Sequence, residues 1–171
     1  MKKGFTLIEL VIVIGILAIL ATVAILVLNP AQMLAQARDS QRVSDLGSVK
    51  SAVALYLATA SGTPAVVAGP RATFATACAF TTCTIATSSI DGTGWVAVNL
   101  TNTSGGSPLS ALPLDPTNSA TLQYAYKGDA TNLTIEIDAV LESTKYIPMM
   151  STDGGNNNSY YETGTDPSLD L

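Results

Sequence analysis

Residues Met1–Pro30 read MKKGFTLIELVIVIGILAILATVAILVLNP, and this stretch decides the fold. From Leu10 to Leu28 only Gly15 and Thr22 interrupt the apolar run, and no charge follows Glu9 until Arg38. At about 1.5 Å rise per residue the run is roughly 28 Å long as a helix, close to the hydrocarbon thickness of a bilayer. One membrane-spanning helix is predicted. Lys2 and Lys3 are the only charges before Glu9, so the positive-inside rule keeps Met1 cytoplasmic and sends the C-terminal bulk across. A cleavable secretory signal would have an apolar core of about 7–15 residues ending at a small-x-small site. Here the run is longer, Ala18, Ala21 and Ala24 recur every third residue, and the helical pattern continues past Asn29-Pro30.

Glu9 is the anomaly. A carboxylate inside a spanning helix costs about 2.5–3.5 kcal/mol at the membrane centre and less towards the helix end, and an unassisted anchor has no use for it. The leader Met1-Lys2-Lys3-Gly4, the junction Gly4-Phe5, then Thr6-Leu7-Ile8-Glu9-Leu10 and the apolar run resemble the class III signal of type IV pilins and pseudopilins. The resemblance implies that a membrane aspartyl peptidase cuts after Gly4 and N-methylates Phe5. It also implies that Glu9 neutralises the terminal amine of an adjacent subunit during filament assembly.

The residues are compatible with that role. Phe5 and Glu9, four apart, share a helix face, and a free amine at Phe5 has a pKa near 8 and is charged at neutral pH. A buried carboxylate is tolerated beside a charged partner where a lone one is not. The plainer alternative is that Glu9 sits in the first helical turn for the macrodipole, worth about 0.3–1 kcal/mol, or pairs with its own Phe5 amine.

Composition narrows the remaining classes. The 171 residues are 47% hydrophobic but only 12% charged, with the apolar excess gathered before residue 30. The net charge is −5, and removal of Lys2 and Lys3, one positive charge each, takes the side-chain total to −7. No basic stripe exists to displace counterions from nucleic acid, so none is expected as a partner. Histidine is absent, which removes His-based acid–base catalysis and His metal ligation. With no phosphate-binding glycine loop, nucleophile elbow or zinc signature, the chain is not expected to be an enzyme.

Cys78 and Cys83 are the only cysteines, and a lone C-x4-C is a poor metal site. In an oxidising extracytoplasmic space a disulfide across a turn at Ala79 to Thr82 is the natural reading, with two free thiols as the alternative.

The chain divides into a leader (1–4), a transmembrane or filament-core helix (5–28), a second helix half packing on a head (29–60), a β-rich head (61–150) and a flexible or surface-lying tail (151–171). Pro30 bends or breaks the helix, because it cannot donate to Leu26 and it disfavours helical geometry at Asn29. Leu46, Val49, Val53, Tyr56, Leu57 and Ala60 recur at helical spacing and form a core stripe. Arg38, Asp39, Arg42 and Asp45 follow the membrane exit, where they form either a solvated face or exposed i,i+3 pairs that set helix register in a filament. Trp95 to Leu100 alternates like a strand. Leu122, Tyr124 and Tyr126, a turn at Gly128-Asp129, then Leu133, Ile135, Ile137 and Ala139 predict a hairpin whose apolar face covers the helix, with Thr134, Glu136 and Asp138 on its other face.

A weaker resemblance to the pseudopilin-like branch lies in Leu112-Pro113-Leu114-Asp115-Pro116-Thr117-Asn118, Tyr124-Ala125-Tyr126 and Leu141-Glu142-Ser143. Some members of that branch bind calcium near the C-terminus, and Asp153-Gly154-Gly155-Asn156-Asn157-Asn158 can supply oxygens, although the spacing is not that of an EF-hand.

The expected fold is therefore α+β and pilin-like, a long N-terminal helix against a small antiparallel sheet. The expected function is a structural subunit of a type IV pilus-like extracellular filament. Alternatives are a pseudopilin of a type II secretion-type periplasmic piston and a membrane-anchored receptor or adhesin. The family implies a helical homopolymer of the chain itself, prepilin peptidase, an assembly ATPase and a platform protein as partners, and membrane lipid before assembly.

Overall fold

A computed structural model describes residues 4–171; the leader residues 1–3 lie outside it, as does the side chain of Leu26. The apolar run forms α1 (Leu7–Leu28), and α2 (Pro30–Thr59) follows after one residue. Pro30 pushes Asn29 out of the right-handed helical region, and Asn29 sits at φ 39° and ψ 74°. Asn29 closes α1 by donating its N–H to the Ile25 carbonyl, and its Oδ1 caps α2 by accepting from Gln32 N. Asparagine tolerates this left-handed geometry better than most residues do.

The two helices have opposite fates. The α1 side chains described are exposed around the whole circumference. In α2, Leu46, Val49, Val53 and Tyr56 are buried against the head, flanked by the half-buried Leu57 and Ala60. The fold is α+β, with a long apolar N-terminal helix and a small sheet that fits a pilin-like architecture.

The head sheet has the order β4-β1-β5-β6-β7, built from β1 (Arg71–Ala72), β4 (Thr84–Ile85), β5 (Tyr124–Asp129), β6 (Thr134–Ala139) and β7 (Tyr161–Gly164). It is mixed rather than purely antiparallel, because β4 runs parallel to β1 at one edge. The β5–β6 hairpin pairs Tyr124 with Ala139 through Asp129 with Thr134. Its turn falls after Asp129, whose carboxylate accepts from Thr131 N and Asn132 N, one step later than the Gly128-Asp129 turn that the pattern predicts.

Trp95 to Leu100 is not a strand. Trp95, Val96, Ala97, Val98 and Leu100 are all buried in an irregular segment tied by isolated bridges, and Trp95 Nε1 donates to the Pro113 carbonyl at 2.9 Å. With both sides of the segment buried, alternation loses its meaning. The C-terminal segment also contributes to the sheet. Tyr161–Gly164 adds β7 to the sheet, with Asp138 opposite Glu162, because β6 is an interior strand whose second edge needs a partner.

Cys78 and Cys83 are joined in a disulfide with Cα atoms 5.9 Å apart. It spans a two-stranded hairpin of β2 (Ala77–Cys78) and β3 (Thr81–Thr82), whose turn is the pair Ala79-Phe80 rather than Ala79 to Thr82.

Candidate functional site

The residues expected to serve processing and assembly, Gly4, Phe5 and Glu9, lie at the exposed N-terminal end of α1. Gly4 and Phe5 precede the first helical residue in exposed, non-helical backbone, and Phe5 is 87% exposed. A Cβ built on Gly4 meets nothing within 4 Å, so the Gly4–Phe5 bond stands clear of the folded head. Thr6 is the N-cap of α1, and Thr6 with Glu9 forms a complete capping box. Glu9 N donates to Thr6 Oγ1 at 3.3 Å, while Glu9 Oε2 accepts from Thr6 N at 2.9 Å and from Thr6 Oγ1 at 2.8 Å.

This geometry divides the carboxylate. Oε2 serves the helix start, and Oε1 accepts no hydrogen bond among the described residues. The T-x-x-E spacing of the capping box is present in the sequence, and its intrachain use is what the bare charge argument misses.

The charged residues that follow α1 are not a solvated face, because Asp39 and Arg42 are buried against the head. Arg42 is fully buried and donates to Asp115 at 2.6 and 3.0 Å, to Asp39 at 2.8 Å and to Glu142 at 2.7 Å. Arg38 holds Glu142 through two bonds of 2.7 Å. Asp45 makes no pair with Arg42; it accepts from Tyr124 Oη at 2.8 Å and from Gln41 Nε2 at 2.6 Å. Hydrogen bonds from Arg38, and then from Arg42, hold the Glu142 carboxyl down at about 2 against partial burial. The head loops bring Asp115 and Glu142 against this helix face, and i,i+3 spacing within α2 carries no signal of that.

The loop expected to supply calcium oxygens is occupied with its own backbone. Asp153 accepts from Gly155 N at 3.1 Å and from Glu162 N at 2.8 Å, and Asn157 Oδ1 accepts from Ser159 N at 3.1 Å. The acidic groups nearest to it lie beneath, on the sheet.

At the other end of the chain the remaining question is what the exposed α1 is for. It is the one described helix long and apolar enough to cross a membrane, and none of its hydrophobic window is buried by the chain itself. Residues 1–25 match the family model of the prokaryotic N-terminal methylation motif. This motif is the class III signal peptide of type IV pilins and pseudopilins, and it covers Gly4, Phe5, Glu9 and most of α1. It supports a pilin or pseudopilin precursor that is inserted in the membrane, processed by prepilin peptidase and handed to pilus-type assembly machinery. No curated protein and no solved structure matches the chain.

Proposed function

We propose that the chain is a structural subunit of a type IV pilus-like extracellular filament, non-catalytic, made as a single-pass prepilin with a cytoplasmic N-terminus. It is cleaved after Gly4, N-methylated at Phe5 and polymerised through α1. The observation that carries this reading is the methylation motif lying on a helix whose apolar surface is wholly exposed. A helix that is apolar all round needs lipid or other helices about it, and a homopolymer supplies the second once the subunit leaves the first. In this reading Glu9 keeps Oε2 on Thr6 and offers Oε1 to the methylated amine of the neighbouring Phe5.

Glu9→Gln separates charge from capping, since glutamine also completes a capping box. The variant should insert and be cleaved like the parent but disappear from sheared filaments. Incorporation at the parental level would remove the charge-docking role. N-terminal sequencing of native chains should begin at methylated Phe5, and a start at Met1 would favour an unprocessed anchored receptor. Surface filaments of this chain in electron micrographs support the pilus, whereas short periplasmic assemblies would assign it to a secretion piston.

A further inference from the structure

The alternation along β6 puts Ile135 and Ile137 in the helix-facing core and Glu136 and Asp138 on the opposite face. That second face is not solvent. Glu136, Asp138 and Glu162 are 1%, 2% and 2% exposed, and one ligand oxygen from each lies within 4.8 Å of the others. Asp138 and Glu162 are directly opposite one another across β6 and β7, an arrangement that like charges ordinarily make unfavourable.

Nothing positive answers them. The four ion pairs among the described residues all involve Arg38 or Arg42. Lys127, opposite Glu136 in the β5–β6 register, lies over the Phe80 ring at 5.7 Å instead. Asp138 Oδ1 is buried and accepts no hydrogen bond, which is a costly state for a carboxylate oxygen.

The other two carboxylates are partly used by the C-terminal segment. Glu136 Oε2 accepts from Leu171 N at 2.8 Å and Glu162 Oε2 from Asn157 N at 2.9 Å, leaving Oε1 of each free of backbone partners. Asp138 also lines a cavity of about 430 Å³ together with Cys78, Gln123, Ala125, Ser159 and Tyr160, which gives an ion and its waters a way in.

We infer that Glu136, Asp138 and Glu162 form a binding site for a hard divalent cation, calcium in size, that ties β6 to β7 and fastens the C-terminal segment over the sheet. All available donors are oxygens, which select calcium or magnesium over softer metals. Calcium–oxygen bonds of about 2.3–2.6 Å reach across a ring of oxygens up to 4.8 Å apart, whereas magnesium at about 2.0–2.1 Å requires a tighter octahedron. Water entering through the cavity completes the coordination. The site lies on the strands, distinct from the Asp153–Asn158 loop, whose carboxylate is already committed.

The test uses the full chain in non-ionic detergent, with the melt followed by the fluorescence of buried Trp95. Calcium chloride should raise the midpoint by about 5 °C or more over a chelator control, and isothermal titration should give one site per chain. Asp138→Asn and Glu162→Gln should each abolish both the shift and the titration signal. Each also removes a like charge, so the calcium-free variants should melt no lower than the calcium-free parent; should one fail to fold, the other decides. No calcium shift in the parent, an undiminished shift in both variants, or an equal shift from sodium chloride at matched ionic strength would overturn the site. A larger shift with magnesium than with calcium would overturn the assignment of the ion.

Discussion

Arg42→Met removes the one guanidinium that three carboxylates share. Asp39, Asp115 and Arg42 have fully buried side chains, and Glu142 is 23% exposed. Breaking a buried pair by removing one partner costs about 3–5 kcal/mol, because the charge left behind has no water to turn to. The stranded groups here retain some donors. Asp39 still accepts from Glu142 N and from Ser143 N at 2.8 Å, Asp115 from Thr117 N at 2.8 Å and Asn118 N at 3.1 Å, and Glu142 keeps Arg38.

The loss should therefore lie near the lower end, about 3 kcal/mol, still a large share of a typical domain stability of about 5–15 kcal/mol. Urea unfolding of the full chain in detergent, followed by Trp95 fluorescence, should move its midpoint down by about 1–3 M. Adding Asp39→Asn and Asp115→Asn to Arg42→Met should restore part of the loss, since the two fully buried partners no longer carry charge and Glu142 keeps Arg38. A single-variant loss below about 1 kcal/mol, the range of an exposed pair, would refute the claim that this cluster is a buried fastening.

Glu142 should make stability depend on acid. Its folded pKa is held down at about 2 from an ordinary 4.5, so its contribution is present above pH 4.5 and disappears as pH falls through about 2. With solvent screening at the partly exposed Arg38 end this is worth about 1–2 kcal/mol, read as the difference in urea midpoint between the parent and Glu142→Gln at pH 6 and pH 2; equal acid sensitivity of the two would refute it. Cys78→Ala with Cys83→Ala opens a loop of sequence separation 5, so the cost should be about 2 kcal/mol or less, with the Trp95-monitored melt still cooperative. Loss of that cooperative melt would give the disulfide a larger role than its loop length predicts.

What the residues disclose follows from the range of the forces involved. The apolar run, the interruption at Asn29-Pro30 and the stripe Leu46, Val49, Val53, Tyr56 are local or periodic, and each acts through neighbours within a turn or two. The β5–β6 hairpin is legible for the same reason, because its two alternating runs are adjacent in the chain. By contrast β1 and β4 are two residues each and are paired across a dozen residues in parallel, too short to establish a period. Trp95 to Leu100 shows alternation without a strand, since burial on all sides selects apolar residues regardless of backbone geometry. The polar face of β6 is readable as a face, yet its covering by Asp153 to Leu171 depends on contacts that close from more than twenty residues away, such as Leu171 N to Glu136.

The Arg42 cluster lies where the head is fastened to α2. The head buries none of the hydrophobic window of α1, so it is joined to α1 through α2 and the single left-handed residue Asn29. An apolar stripe alone permits small sliding along its axis, because dispersion and burial are non-directional. Arg38 and Arg42 add directional bonds to Asp115 and Glu142, from two separate head segments, near the start of α2. Tyr124 to Asp45 adds a third tie from the sheet itself, one helical turn further on. These ties, together with the hydrophobic contacts from Leu46 to Tyr56, fasten the head to α2, and Asn29 is the interruption between that unit and α1.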